Sequence, residues 1–173
     1  REFKPHLFTH GLLPEKEPYH CDWYYKPHLR DWGLAVSKYF KDSYVKDDEE
    51  YQVELTTVSK PGVMQVLDAT LHGEHLNTIV IQAYNCHPHQ ANDNLSGIVV
   101  ALEVMKRLAE RERLRFSYQF LLGPELFGTI FYTKDKPVGE VEGVIGLLCV
   151  GNDAPLKVQH SFWGGTDIDN VAE

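Results

Sequence analysis

The sequence holds only three cysteines in 173 residues, Cys21, Cys86 and Cys149, and no two of them form a CxxC pair. An odd count at wide spacing reads as reduced thiols rather than a disulfide framework, so a cytoplasmic protein is expected. No apolar run approaches the ~18 residues that a membrane-spanning helix needs, and no signal peptide is visible. Basic residues are scattered and number 17 against 25 acidic ones, for a net charge of −8. That balance argues against a nucleic-acid or anionic-membrane surface. Internal repeats and low-complexity tracts are missing. So is the G-x-S-x-G frame of a nucleophile elbow, which leaves Ser96 as first-turn helix chemistry.

What is present is globular: 43% hydrophobic and 12% aromatic residues, enough for one ordinary domain, or a small domain plus part of another. The chain begins at Arg1 and stops within "TDIDNVAE", which reads as the opening of a helix. A fragment of a longer protein is therefore expected. Residues 1 to 50 are dense in His, Pro, Tyr and Trp, with a short helix expected from about Leu29 to Phe40. Trp23, Tyr24, Tyr25 and Trp32 read as the packing of a small subdomain rather than a substrate wall. His6, His10, His20 and His28 lack tight ligand spacing and read as surface or packing residues. "EYQVELTTV" (50–58) alternates with period two, and "SKPG" supplies turn chemistry. "VMQVLDATLHG" (63–73) then reads as the returning strand of a hairpin.

From Asn77 the pattern changes. "NTIVIQAY" (77–84) is a continuous apolar run suited to a strand covered on both faces. Leu95, Ile98, Val99, Leu102, Met105 and Leu108 recur at helical spacing. "RFSYQFLL" (115–122) and "EGVIGLLCVG" (142–151) read as two further strands. This order predicts an α/β layer with a largely parallel sheet. Ligands bind at the carboxyl ends of such strands. The loops "NCHPHQAND", "GPELFG" and "GND" would then meet on one edge, bringing His87, Asp93 and Glu125 together.

Imidazole and carboxylates form the ligand set of zinc and other divalent first-row metals. Plainer readings exist for each residue. A His near an Asp in a loop is commonly a hydrogen-bonded surface pair. Asp93 or Asn94 suits the N-cap of the following helix. Glu125 reads equally as an exposed loop acid, and His89 competes with His87 for the ligand role. Cys86, next to His87 on an extended segment, points to the opposite face and reads as a buried structural cysteine. Cys149 reads as core.

"NDNLSGIVVALEVMKRL" (92–108) resembles the DNxSG segment of the co-catalytic zinc aminopeptidases. "CHP…ANDNLSG", "RFSYQFLLGPELFGT" and "GVIGLLCVGND" together look closer to one branch, the aminopeptidase-like domain of proteins tied to polysaccharide biosynthesis. "LLPEKEPYHCDWYYKPHLRDWGLAVS" resembles the small domain inserted in that branch. The resemblance implies a three-layer α/β sheet of zinc-aminopeptidase type, present in part, with a small β-rich N-terminal subdomain. Residues 1–75 would form the inserted-type subdomain with its β-hairpin, and residues 76–173 an incomplete aminopeptidase-like domain.

The resemblance further implies one or two zinc ions, with His87 as first ligand and Asp93 as the bridging carboxylate. Glu125 would be general base or ligand. The chain departs from the family pattern in four places, one being a shorter loop from His87 to Asp93. His87-Pro88-His89 replaces His-x-Asp, Pro124-Glu125 replaces a Glu-Glu pair, and the aspartate ending the later strand falls near Leu148 or Cys149, with Asp153 as a substitute. The family's last histidine ligand falls beyond Glu173. The expected function is zinc-dependent hydrolysis of a peptide or amide bond in a small substrate, with no nucleic-acid or membrane partner. Further copies of the chain or a C-terminal segment would complete the assembly. The rivals are a non-catalytic scaffold that kept the fold, and an amidohydrolase of polysaccharide or natural-product biosynthesis.

Overall fold

The computed structural model describes residues 3–19, 32–58, 60–86, 90–134 and 140–172. The chain divides into two compact units, Arg1–Ser59 and Lys60–Glu173.

In the first unit, β1 (Leu7–Phe8) and β2 (Leu34–Ala35) pair in parallel. Helix α1 (Lys38–Tyr44) starts where the Ser37 hydroxyl accepts the Phe40 N–H at 3.1 Å, a side-chain cap on one of the helix's unpaired donors. The helix expected over 29–40 thus begins nine residues later, because residues 34–35 are taken into the strand pair; residues 20–31, with Trp23, Tyr24 and Tyr25, lie outside the described ones. Aromatic packing holds this unit together, as the sequence predicts for Trp32. The His6 ring stacks on Trp32 with centroids 4.0 Å apart, and its Nδ1–H donates to the Trp32 carbonyl at 2.8 Å. Phe3 stacks on Tyr51 at 5.3 Å. The β-rich character expected here reduces to two two-residue strands among the described residues, and 50–58 is not a strand.

The second unit is built on four strands, β3 (Leu67–Leu71), β4 (His75–Tyr84), β5 (Phe116–Gly123) and β6 (Val141–Gly146), in the order β3-β5-β4-β6. β4 pairs in parallel with β5 and β6, and β3 runs antiparallel to β5. The expected hairpin does not form. Leu67–Leu71 pairs with β5 instead, Ala69 opposite Phe120, where it closes an edge that would otherwise present unpaired N–H and C=O groups.

Helix α2 (Ser96–Ala109) crosses from β4 to β5 and covers one sheet face. Ile81, Ala83, Ala101 and Phe120 form the core there, with Ile98, Met105, Leu108, Leu122 and Leu147 against them. Ala101 is 0% exposed. The buried row is therefore 98, 101, 105 and 108, whereas Leu95, Val99 and Leu102 of the predicted stripe are exposed. Burying each large side chain contributes roughly 1.5–3 kcal/mol. Side chains alternate across a strand, so Gln82 and Gln119 point to the opposite face. There helix α3 (Phe127–Lys134) meets them: Gln82 Nε2 donates to Thr129 Oγ1 at 3.1 Å, and the Tyr132 hydroxyl donates to Gln119 Oε1. Helix α4 (Asp167–Ala172) forms where "TDIDNVAE" predicts one. No helix among the described residues is long and apolar enough to cross a membrane.

Candidate functional site

Parallel pairing aligns the strand ends: Tyr84 lies opposite Gly123, and Gln82 opposite Gly146. The loops after β4, β5 and β6 therefore leave the same edge of the sheet, as expected from the strand order. Hydrogen bonds then tie them together. The Glu125 N–H, just after β5, donates to Cys86 Sγ at 2.7 Å. Asn94 is 2% exposed. Its Nδ2 donates to the Leu147 carbonyl at 2.8 Å, and its Oδ1 accepts the Cys149 N–H at 3.1 Å. Asn92 Oδ1 accepts the Gly151 N–H at 2.9 Å. Two asparagines, spaced two apart, thus hold alternate backbone groups of the β6 loop much as a neighbouring strand would.

This arrangement corrects the capping expectation. Neither Asp93 nor Asn94 caps α2; the residue before the helix is Leu95, with no side-chain cap. The turn Ala91–Leu95 is kinked, with Asp93 (φ −114°, ψ 87°) and Asn94 (φ −138°, ψ 33°) outside helical geometry. Ser96 keeps its predicted place at the start of the helix, its hydroxyl donating to the Asn92 carbonyl at 2.7 Å. Gly97 is needed by the close approach of α2 to the β6 loop, since a Cβ there would collide with the Leu147 carbonyl oxygen. Gly97→Ala is expected to lower stability by about 1–3 kcal/mol through overpacking, read from the urea midpoint.

The loops converge on one side chain, Tyr84. Its hydroxyl donates to Asp93 Oδ1 at 2.7 Å. Burial of the phenol, that hydrogen bond and the charges of Asp93, Glu125 and Cys149 all raise its pKa far above the ordinary tyrosine range. Asp93, Glu125 and Cys149 belong to three different loops. Desolvation and then the negative charge of Asp93 push the Cys149 thiol up as well. Cys149 is exposed rather than core, because β6 ends at Gly146 and the chain turns before reaching it. Cys86 is half-buried, with its sulfur turned to the Glu125 amide. Leu126 (φ 61°) and Cys149 (φ 50°) occupy the left-handed region. Non-glycine residues held there cost of order 1–3 kcal/mol and gather at functional sites.

Of the residues singled out from the sequence, Asp93 accepts the Tyr84 hydroxyl, and Glu125 is held by its main chain to Cys86. Asp153 is exposed in the β6 loop. His87 and His89 lie outside the described residues. Among the described residues, no three His, Cys, Asp or Glu side chains stand together as a metal-binding group, so Asp93, Glu125 and Asp153 do not form a ligand triplet. Asp93 and Glu125 do fit the oxygen-donor half of a divalent-metal site. Sequence reasoning missed Tyr84 and both asparagines; the signals were a polar-tipped aromatic closing an apolar strand, and the repeated Asn flanking Asp93.

A family model described as a domain of unknown function, DUF4910, matches residues 14–173. The chain belongs to the DUF4910 family. A Clostridium acetobutylicum protein, provisionally named as a polysaccharide biosynthesis protein with an aminopeptidase-like domain, is 29% identical over 175 residues. That match covers 99% of this DUF4910 chain and 38% of the relative. A crystal structure from the same organism, of a protein provisionally described as a peptidase, superposes with a TM-score of 0.72 at 25% identity. It covers 98% of this chain and 39% of that one. The chain therefore spans less than two fifths of either relative. The aminopeptidase-like branch read from "CHP…ANDNLSG" is the one the first relative carries in its name, and the fold resembles that of the second, described as a peptidase.

Proposed function

We propose that the DUF4910 chain carries part of a zinc-dependent hydrolase site of the aminopeptidase type, on a three-layer sheet, cleaving a peptide or amide bond. The observation that carries this reading is the Asp93 carboxylate on the Tyr84 hydroxyl at the carboxyl end of β4, with the loop that carries Glu125 leaving the parallel neighbour β5 at the same edge and tied to Cys86. His87, at the entrance of the same loop, is the proposed nitrogen ligand and Asp93 the proposed carboxylate ligand. When bound, a divalent ion supplies Lewis-acid polarisation of a carbonyl and acidification of water. Asp93 would hold its carboxylate toward such an ion while Glu125, an exposed residue of the loop after β5, would take the proton from the attacking water.

The amidohydrolase reading keeps the same chemistry and draws on the polysaccharide-biosynthesis name of the relative. The scaffold reading draws on Pro124, which stands where the resemblance predicts a second glutamate. Elemental analysis together with a panel of peptide and amide substrates separates all three. Purified protein is expected to contain zinc, His87→Ala and Asp93→Ala each to lower it, and His89→Ala to change it little. Depletion by His89→Ala with His87→Ala unaffected would reverse the ligand assignment. Metal-containing protein with no turnover across the panel would favour the scaffold.

A further inference from the structure

We propose that Tyr84 is the positioning residue of Asp93, its hydroxyl presetting the carboxylate for a divalent cation; this rests on the proposed reading of Asp93 as a metal ligand. Tyr84 closes the central strand β4, is 6% exposed and lies opposite Gly123 in the register. It is anchored by the sheet and cannot follow the loop if the loop shifts. Its hydroxyl meets Asp93 Oδ1 at 2.7 Å. The backbone on each side of Asp93 is held separately, through Asn92 to Gly151 and through Asn94 to Leu147 and Cys149. Asp93 is thus fixed at three points, two on the main chain and one on the carboxylate.

The choice of a phenol has a chemical consequence. A carboxylate oxygen has two lone pairs. The Tyr84 O–H donates to one of them on Oδ1 and leaves the carboxylate its negative charge. A lysine or charged histidine in this position would orient the group equally well but would cancel the charge that attracts the metal. The neutral donor orients without neutralising. Ligating carboxylates depend on such outer partners, and losing one typically lowers metal affinity 10–100-fold. The plainer alternative is that Tyr84 is a core tyrosine whose buried hydroxyl needs an acceptor. That role would alter folding stability but not metal binding.

The experiment is a zinc titration of the purified protein against a chromophoric chelator, for wild type, Tyr84→Phe, Asp93→Ala and the double variant. It is joined to the visible spectrum of the cobalt(II)-loaded forms and the unfolding midpoint of metal-free protein. Tyr84→Phe is expected to weaken zinc about 10–100-fold and to shift the cobalt bands, and to have no further effect once Asp93 is alanine. Wild-type affinity and an unchanged cobalt spectrum in Tyr84→Phe, with binding lost in Asp93→Ala, would overturn the positioning role alone. So would an equal loss in both backgrounds, since Tyr84 would then act independently of Asp93. Undiminished zinc binding by Asp93→Ala would overturn the metal reading itself. If Tyr84→Phe fails to fold, 3-fluorotyrosine at position 84 keeps the ring and changes the hydroxyl; an unchanged cobalt spectrum there also overturns the proposal.

Discussion

On the proposed hydrolase reading with Glu125 as general base, Glu125→Gln is expected to cut turnover by ~10²–10⁴-fold, the usual size of a general-base contribution, while the bound metal stays. The backbone gives the substitution little reason to disturb the fold. Glu125 is exposed, and its N–H donates to Cys86 Sγ through the main chain, which the change does not touch. The amide is close to the carboxylate in shape but cannot accept a proton from water. Zinc content and turnover measured side by side on the full-length protein decide the role. Metal and activity falling together would make Glu125 a ligand. Full activity with full metal would remove it from the site.

Asn94→Leu is expected to destabilise the fold by about 1–3 kcal/mol. The two side chains have the same number of heavy atoms and the same branching, and leucine is the larger, so no cavity is left. Asn94 is buried and serves two backbone groups at once, the Leu147 carbonyl and the Cys149 N–H. Leucine serves neither, so two hydrogen bonds of roughly 0.5–1.5 kcal/mol each are lost. Urea unfolding of the metal-free protein measures the loss without reference to activity. A change below ~1 kcal/mol would mean that water reaches the freed groups and that the asparagine contacts are not a structural tie.

The parts of the fold that were legible in the sequence rest on local periodicity. β4 shows as a continuous apolar run, α2 as a helical repeat, β5 as a second apolar run, and their order implies parallel pairing. Even so, the face of α2 was misjudged by one row, because Ala101, the residue most fully buried, carries almost no hydrophobic signal of its own. The hairpin failed for a different reason. Alternation marks a segment as strand-like but does not name its partner, and Leu67–Leu71 found β5 from far along the chain. The loop carrying Asp93 was visible as a candidate site from its residue types. Tyr84 and the asparagines were not, since their roles depend on groups that only the sheet brings near. Cys149 shows the same limit: an apolar neighbourhood in sequence does not reveal that the strand stops at Gly146.

The asparagine contacts also bear on the order in which the molecule assembles. They join residues 53, 55 and 59 positions apart, and closing a flexible loop carries an entropic penalty that grows with the logarithm of its length. Two or three hydrogen bonds, each with a modest net contribution, cannot hold such a loop closed in an otherwise unfolded chain. β4, α2 and β6 must already be docked before Asn92 and Asn94 find their partners. The geometry around Asp93 is therefore a late product of folding, and local opening of the β6 loop would release it while the central strands stay paired.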